Sequence, residues 1–294
     1  MLPMPDPMDS DERQLSDRTL RLERWLGAGR LAAALGEARV AVNESPGDPK
    51  LRFLFLEILL LSGDVEEAGH QAEELRRSDE TFTERHPLLC ELLRGEAARR
   101  ALYLHGQPPP IALAPPEPFV GPFIEAAMAL SVQRADVAGA LIAGAQPPSC
   151  SGRIAFQDGS EQEFDDIEDA GSIPGPALPL VLPGNYAWLP WTQLRRLELD
   201  PCPGEALYSV LRPASLSWND GAEIRHGRAW IPMRYPSIDR TTLAEELRPG
   251  VMLEDHGAGL SIAHGWRAIK LRQGDAQRIA DLGKVRWIQI GEPQ

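Results

Sequence analysis

The sequence predicts an α+β chain in which a helical-repeat half precedes a β-rich half. Three observations carry that expectation. Five positions recur near the start of the chain at a fixed offset of 34 residues, the residue pattern changes abruptly after Pro147-Pro148, and six of the seven tryptophans lie beyond residue 187.

Residues 1–15, rich in Pro and Asp, read as a disordered tail. From Ser16, an N-cap candidate, the residues Leu20, Leu22, Trp25 and Leu26 make an apolar stripe at helical spacing. Leu26, Gly29, Leu31, Ala34 and Ala38 then recur as Leu60, Gly63, Val65, Ala68 and Ala72. The offset of 34 residues is the period of a tetratricopeptide-like helix-turn-helix repeat. The glycines let the chain turn between helices, and the alanines let two helices approach closely. Pro46 and Pro49 break the chain between units. A long helix follows, with Leu89, Leu92, Leu93, Ala97, Ala101 and Leu104 on one stripe. Gln107–Pro118 is too dense in proline for a regular element. Phe123 to Leu130 and Val137 to Ile142 form another helical pair. Its Asp136-Val137-x-x-Ala140 echoes Asp64-Val65-x-x-Ala68, as a degenerate third repeat would. Two repeats alone would be marginal, since each unit needs a neighbour to bury its apolar face. The helical domain is therefore assigned to residues 16–148.

The β-rich domain is assigned to residues 149–294. Arg153 to Phe156, Leu180 to Leu182, Tyr186 to Leu189 and Leu194 to Leu199 are its first strand candidates. Ala214 to Trp218, Arg228 to Met233, Leu260 to Ala263, Trp266 to Leu271 and Val285 to Ile290 follow. Asp158-Gly159 and Asn219-Asp-Gly221 have the composition of hairpin turns. Short strands and frequent turns predict a bent antiparallel sheet or a small barrel.

Composition excludes several function classes. A net charge of −13 argues against binding nucleic acid or an anionic membrane surface. Cys90, Cys150 and Cys202 are far apart, odd in number and without C-x-x-C spacing, so neither a disulfide framework nor a thiol-based zinc site is expected. The opening residues lack the basic and apolar regions of a secretory signal, and Phe53 to Leu61 is too short to span a bilayer. The expected compartment is the cytoplasm.

No catalytic constellation stands out, and no cofactor is expected. Gly259-Leu-Ser261-Ile-Ala263, followed by His264, is the nearest thing to a nucleophile elbow, but it lacks the second glycine and alternates like a strand. A hydrolase using Ser261, His264 and Asp255 is the alternative reading. Gly257-Ala-Gly259 is an incomplete dinucleotide fingerprint. His226, His256 and His264 lack the spacing of a metal site and read as scattered surface residues. The run Asp158 to Asp169 holds seven carboxylates and no basic residue, which reads as a solvated turn and loop, or as a negative rim for a basic partner. The aromatic clusters Tyr186 to Trp191 and Trp230 to Tyr235 are accompanied by Pro190, Pro232 and Pro236, which belong at sheet edges or strand ends. Trp188, Trp191, Arg234 and Tyr235, with Asp166 and Asp169, are therefore the candidate partner-binding residues of the back half. The groove of the helical half is the other candidate surface.

Several motifs, taken in order, resemble the ImpE/TagJ family of accessory proteins of bacterial type VI secretion. They are the segment Leu26 to Leu35, the stretch Arg52-Phe-Leu-Phe-Leu-Glu-Ile-Leu-Leu-Leu-Ser-Gly-Asp64, the block Gly184-Asn-Tyr-Ala-Trp-Leu-Pro190, and Arg234-Tyr-Pro-Ser237. Between Glu168 and Pro176 this chain lacks an arginine that the family often carries there. The resemblance implies a non-enzymatic protein that binds the small subunit of the contractile sheath, by that subunit's N-terminal helix, with a link to the ATPase that disassembles the sheath.

Overall fold

The computed structural model describes residues 21–22, 25, 28–109, 115, 117–201, 210–236, 250–257 and 259–291. The expected tail, the Ser16 cap, Leu20, Leu26, Cys202, Ser237 and part of the proline-dense segment lie outside the described residues. Among the described residues, six helices with assigned bounds precede the strands: α1 (Leu31–Glu44), α2 (Pro49–Ser62), α3 (Val65–Ser78), α4 (His86–His105), α5 (Val120–Ser131) and α6 (Ala135–Gly144). Thirteen strands follow among the described residues: β1 (Gly152–Phe156), β2 (Glu161–Phe164), β3 (Asp166–Asp169), β4 (Ala177–Leu182), β5 (Asn185–Pro190), β6 (Leu194–Leu199) and β7 (Leu211–Asn219). The remainder are β8 (Ile224–Pro232), β9 (Val251–Asp255), β10 (Ser261–Gly265), β11 (Ala268–Gln273), β12 (Ala276–Asp281) and β13 (Val285–Ile290).

One turn geometry recurs three times among the helices. Gly29, Gly63 and Gln133 have φ of 71, 84 and 61°. The next amides, those of Arg30, Asp64 and Arg134, donate to carbonyls five residues back at 2.8, 2.9 and 2.9 Å. These bonds satisfy carbonyls that a helix end leaves open, and a positive φ is what lets the chain reach them. Helices α1 and α3 then begin 34 residues apart, as the sequence predicts, and buried Ala34 and Ala68 sit at the same place in each. The third unit differs from expectation. Helix α6 begins at Ala135, 70 residues beyond Val65, so that Ala138 is the buried counterpart while Ala140 is exposed. The echo at Asp136 is thus out of register by two residues. A glutamine does at position 133 what glycine does in the other two turns, and the cue was missing.

Capping sharpens these boundaries. The Asp48 carboxylate accepts from the amides of Lys50 and Leu51 at 2.9 and 3.2 Å, with Pro49 in the first turn of α2. Asp64 accepts from the Glu67 amide at 3.1 Å, and α3 carries Glu66 and Glu67 in its first turn and Arg76 and Arg77 in its last, matching the helix dipole.

The strands form an eight-stranded antiparallel sheet in the order β2-β1-β13-β6-β7-β8-β4-β5. A three-stranded sheet, β12-β11-β3, and the hairpin β9-β10 complete the β half. Among the described residues the large sheet ends on β2 and β5, so of the two predicted architectures the open sheet is the one present and no barrel closes. The acidic run begins in the expected turn at Asp158-Gly159, but its remainder is not a loop: it forms β2 and β3, which cross from one sheet to the other at Asp165. The strands β9 and β12 were also not foreseen. They are short or largely exposed, and lack the apolar alternation that marks a buried strand.

The large sheet is the middle of three layers. On β5, Tyr186 and Trp188 join the core of the helices, while Ala187 and Leu189 join the core beneath the three-stranded sheet. On β4, Ala177 and Val181 face the helices, and Leu178 and Leu180 face away. A strand buried on both faces reads as a continuous apolar run, which is what Ala177–Leu182 is. The helical core therefore does not end at Pro147-Pro148, but continues into Ile173, Val210, Leu211 and Leu260. The described part of the proline-dense segment also packs on the sheet: Gln193 donates to the Pro115 carbonyl at 3.0 Å and Thr192 to the Glu117 carboxylate at 2.7 Å.

Helix α4 makes the closest approach between the layers. The Gly184 amide donates to the Glu91 carbonyl at 3.2 Å. A Cβ placed on Gly95 would lie 2.3 Å from Val181 Cγ1 and 2.9 Å from the Asn185 carbonyl oxygen. In a helix interior, Gly→Ala ordinarily stabilises by about 0.5–1 kcal/mol. Gly69→Ala on α3, where a Cβ meets nothing within 4 Å, is expected to show that gain. Gly95→Ala is expected to show the opposite sign, a loss of about 1–3 kcal/mol from forced separation of helix and sheet. Denaturant midpoints of the two variants check the pair.

Candidate partner-binding site

Where α4 meets the sheet, burial coincides with charge. Glu96 and Arg99 are buried one turn apart on α4, and Arg99 donates to both Glu96 oxygens at 2.7 and 2.6 Å. Arg100 donates to the same carboxylate at 2.9 Å. The third donor of Arg99 reaches across to the Arg234 carbonyl at 3.1 Å. One residue on, the Tyr235 hydroxyl donates to Asp169 at 2.7 Å. Asp169 also accepts from the Gly171 amide at 2.9 Å and forms an ion pair with Arg267. Arg267 in turn donates to the Pro232 carbonyl at 2.7 Å and lies 4.7 Å from the centre of the Tyr235 ring. The network links α4, the segment after β8, β3 and the start of β11.

The electrostatics are consistent. Burial opposes ionisation of Glu96, but Arg99 and Arg100 together outweigh it and hold the carboxyl below its ordinary 4.5. Burial, and then the charge of Asp169, push the Tyr235 hydroxyl well above 10, so it stays protonated as the donor.

Five of the six residues expected on a recognition surface belong to this interior. Trp188, Trp191, Arg234, Tyr235 and Asp169 are all buried. Trp188 donates to the Tyr186 hydroxyl at 2.8 Å, and the Trp191 ring nitrogen lies 3.4 Å from the Gly175 carbonyl. The Arg234 guanidinium stacks 4.0 Å from the centre of the Trp266 ring. Only Asp166 is partly open, and it is spent on the Cys150 amide at 3.0 Å and on Arg272 at 2.9 Å. The expectation of an exposed aromatic and acidic rim is thus corrected. Pro190 does end the edge strand β5 and Pro232 ends β8, but both are buried within the chain, and Asp166 and Asp169 are engaged by backbone amides and arginines.

The hydrolase alternative finds no assembled site. Ser261 and His264 are three residues apart on β10, so their side chains project to opposite faces of the strand. The Ser261 amide is held by Ser172 Oγ at 2.8 Å, and Asp255 accepts from the Gly257 amide at 2.8 Å. The histidines are less scattered than expected: the Nε2 atoms of His256 and His264 lie 3.3 and 3.4 Å from the two oxygens of Glu254, while His226 is away on β8. Two small cavities of about 10 and 20 Å³ are lined by Trp191 and Asp166 and by Tyr235 and Ser261. Both are far below the few hundred Å³ of a cofactor site.

A side-chain cluster with metal-ligand chemistry, formed by Glu73, His86 and Cys90, went unread in the sequence. Its signal was the spacing His86-x-x-x-Cys90, which puts both residues on one face of a helix.

Three similarities to known proteins accompany this geometry. The ImpE protein family model matches residues 161–286. The type VI secretion system accessory component TagJ of Pseudomonas aeruginosa is 28% identical over 282 residues, spanning 92% of this chain and 89% of that protein. The X-ray crystal structure of a protein from Vibrio parahaemolyticus shares the fold with a TM-score of 0.78 at 20% identity, covering 93% of this chain and 98% of that one.

Two outcomes test the network. Asp169→Ala leaves Arg267 buried without its partner and is expected to cost about 3–5 kcal/mol in denaturant unfolding. Glu96 has a folded pKa below its unfolded 4.5, so its contribution is complete above pH 4.5 and is lost as pH falls through the depressed value. Glu96→Gln is accordingly expected to be much less stable than the natural protein at neutral pH, with the gap narrowing below pH 4.5 in parallel melts.

Proposed function

We propose that this chain, which belongs to the ImpE/TagJ family, is an accessory component of a bacterial type VI secretion system that works by binding other proteins. The observation that carries the reading is a similarity to TagJ that runs through helices and sheets alike rather than through one motif. The partner of this reading is the small subunit of the contractile sheath, taken by its N-terminal helix, with a link to the sheath-disassembling ATPase. The compartment is the cytoplasm. Among the described residues no helix is long and apolar enough to cross a membrane.

The geometry supports a binding role through the helical half. Successive helices pack on one another from α1 to α6, and stacked hairpins present a groove suited to an amphipathic helix. Val40 on α1 and Leu88 on α4 are large apolar side chains left 51% and 43% exposed. In this reading residues 16–148 form the receiving half and residues 149–294 the buttress behind it. The two share a core through α4.

Immobilised full-length chain is expected to capture the small sheath subunit from the same bacterium, and to bind that subunit's isolated N-terminal helix saturably. Val40→Asp or Leu88→Asp is expected to weaken binding about tenfold or more, roughly 1.4 kcal/mol, without altering the fold. Capture of neither sheath subunit, with both shown to be folded, would sink the proposal.

A further inference from the structure

The strongest unassigned feature is the cluster where α3 meets the start of α4. His86 is the first residue of α4 and Cys90 lies one turn on, so both side chains share a face. Glu73 reaches them from the middle of α3. His86 Nε2 lies 3.1 Å from Glu73 Oε1 and 3.3 Å from Cys90 Sγ. All three ligand atoms lie within 4.8 Å of one another. These spacings are informative. Ligands bound at about 2.0–2.1 Å for N or O and 2.3 Å for S around a tetrahedral zinc lie about 3.3–3.6 Å from each other. The two measured edges are close to that figure. A single ring nitrogen also faces both a carboxylate and a thiol, yet it can offer only one lone pair or one N–H. A cation at the centre satisfies all three groups together.

The surroundings hold the donors in place. Phe82 packs edge-on to the His86 ring with centroids 6.5 Å apart, and Phe53 packs edge-on to Phe82 at 6.0 Å. The other Glu73 oxygen accepts from Arg76 Nε at 3.1 Å, which orients the carboxylate as supporting groups of metal ligands do. The three side chains are partly buried rather than freely solvated. Burial, and then the Glu73 charge, push the Cys90 thiol above its ordinary 9.0.

We propose that Glu73, His86 and Cys90 bind a divalent transition-metal ion of the zinc class, tying α3 to α4, with water in the fourth position. On binding, Cys90 Sγ exchanges its proton for the metal and the proton passes to solvent, with no change of oxidation state. Carboxylate, imidazole and thiolate together favour zinc or cobalt over magnesium or calcium, which take oxygen ligands.

The test uses metal-free full-length protein titrated with Co²⁺ alone and then with Zn²⁺. The expected result is one ion per chain, an intense thiolate-to-cobalt charge-transfer band, and bleaching of that band by Zn²⁺. Cys90→Ser is expected to abolish the band and weaken binding about 100-fold or more, beyond what loss of a supporting group costs. Cys150→Ser is expected to leave both unchanged. Glu73→Gln, at a half-exposed side chain, keeps the test valid should Cys90→Ser fold poorly, and is expected to weaken binding while preserving the band. No stoichiometric binding, or a charge-transfer band that survives Cys90→Ser, would overturn the assignment.

Discussion

Two ion pairs with almost no access to water, Glu96 with Arg99 and Asp169 with Arg267, set the constraint on which the arrangement of helices and sheet depends. Charges in such a place persist only if every one of them is neutralised and hydrogen-bonded. Here the demand is met across elements distant in sequence. Arg99 on α4 completes its set on the Arg234 carbonyl, 135 residues away, and Asp169 finds Arg267 98 residues away. Desolvation offsets much of the Coulombic attraction, so the pairs add little net stability over a well-packed apolar interface. Their consequence is orientational. Any docking of α4 that separated a partner would leave an uncompensated charge in the core.

Packing obeys the same constraint. Gly95 brings the α4 backbone against Val181 and Asn185, and this close approach puts Arg99 within reach of the sheet. Because β4 and β5 are buried on both faces, displacement of α4 would also disturb the side facing the three-stranded sheet. The helices thus have a fixed base. A groove for a partner helix requires such a base, since mobile hairpins would lose more entropy on binding.

Local chemistry was legible in the sequence and long-range pairing was not. The repeat period was visible because Gly29 and Gly63 supply the positive φ and Ala34 and Ala68 the close contact. The third unit was misregistered because Gln133 adopts that φ without glycine's signature. Strand β13 was bounded correctly from its alternation alone, Val285–Ile290. The run from Asp158 to Asp169 misled because it holds no basic residue itself, while in space Glu161 meets Arg153, Asp166 meets Arg272 and Asp169 meets Arg267. For the same reason the residue types of Trp188, Tyr235 and their neighbours point to a surface although they are buried: residue type indicates affinity for an interface, but not whether the interface lies within the chain or beyond it.

The central claim is that helices and sheet form one cooperative body through α4, and unfolding followed by two probes tests it most directly. Six of the seven tryptophans lie beyond residue 187, so tryptophan fluorescence reports the sheet, whereas helical circular dichroism reports the first half. The account predicts coincident denaturant transitions with one midpoint and one slope. Two separated transitions, with the helical signal lost while tryptophan emission stays native, would contradict it and make the two halves independent domains that merely touch.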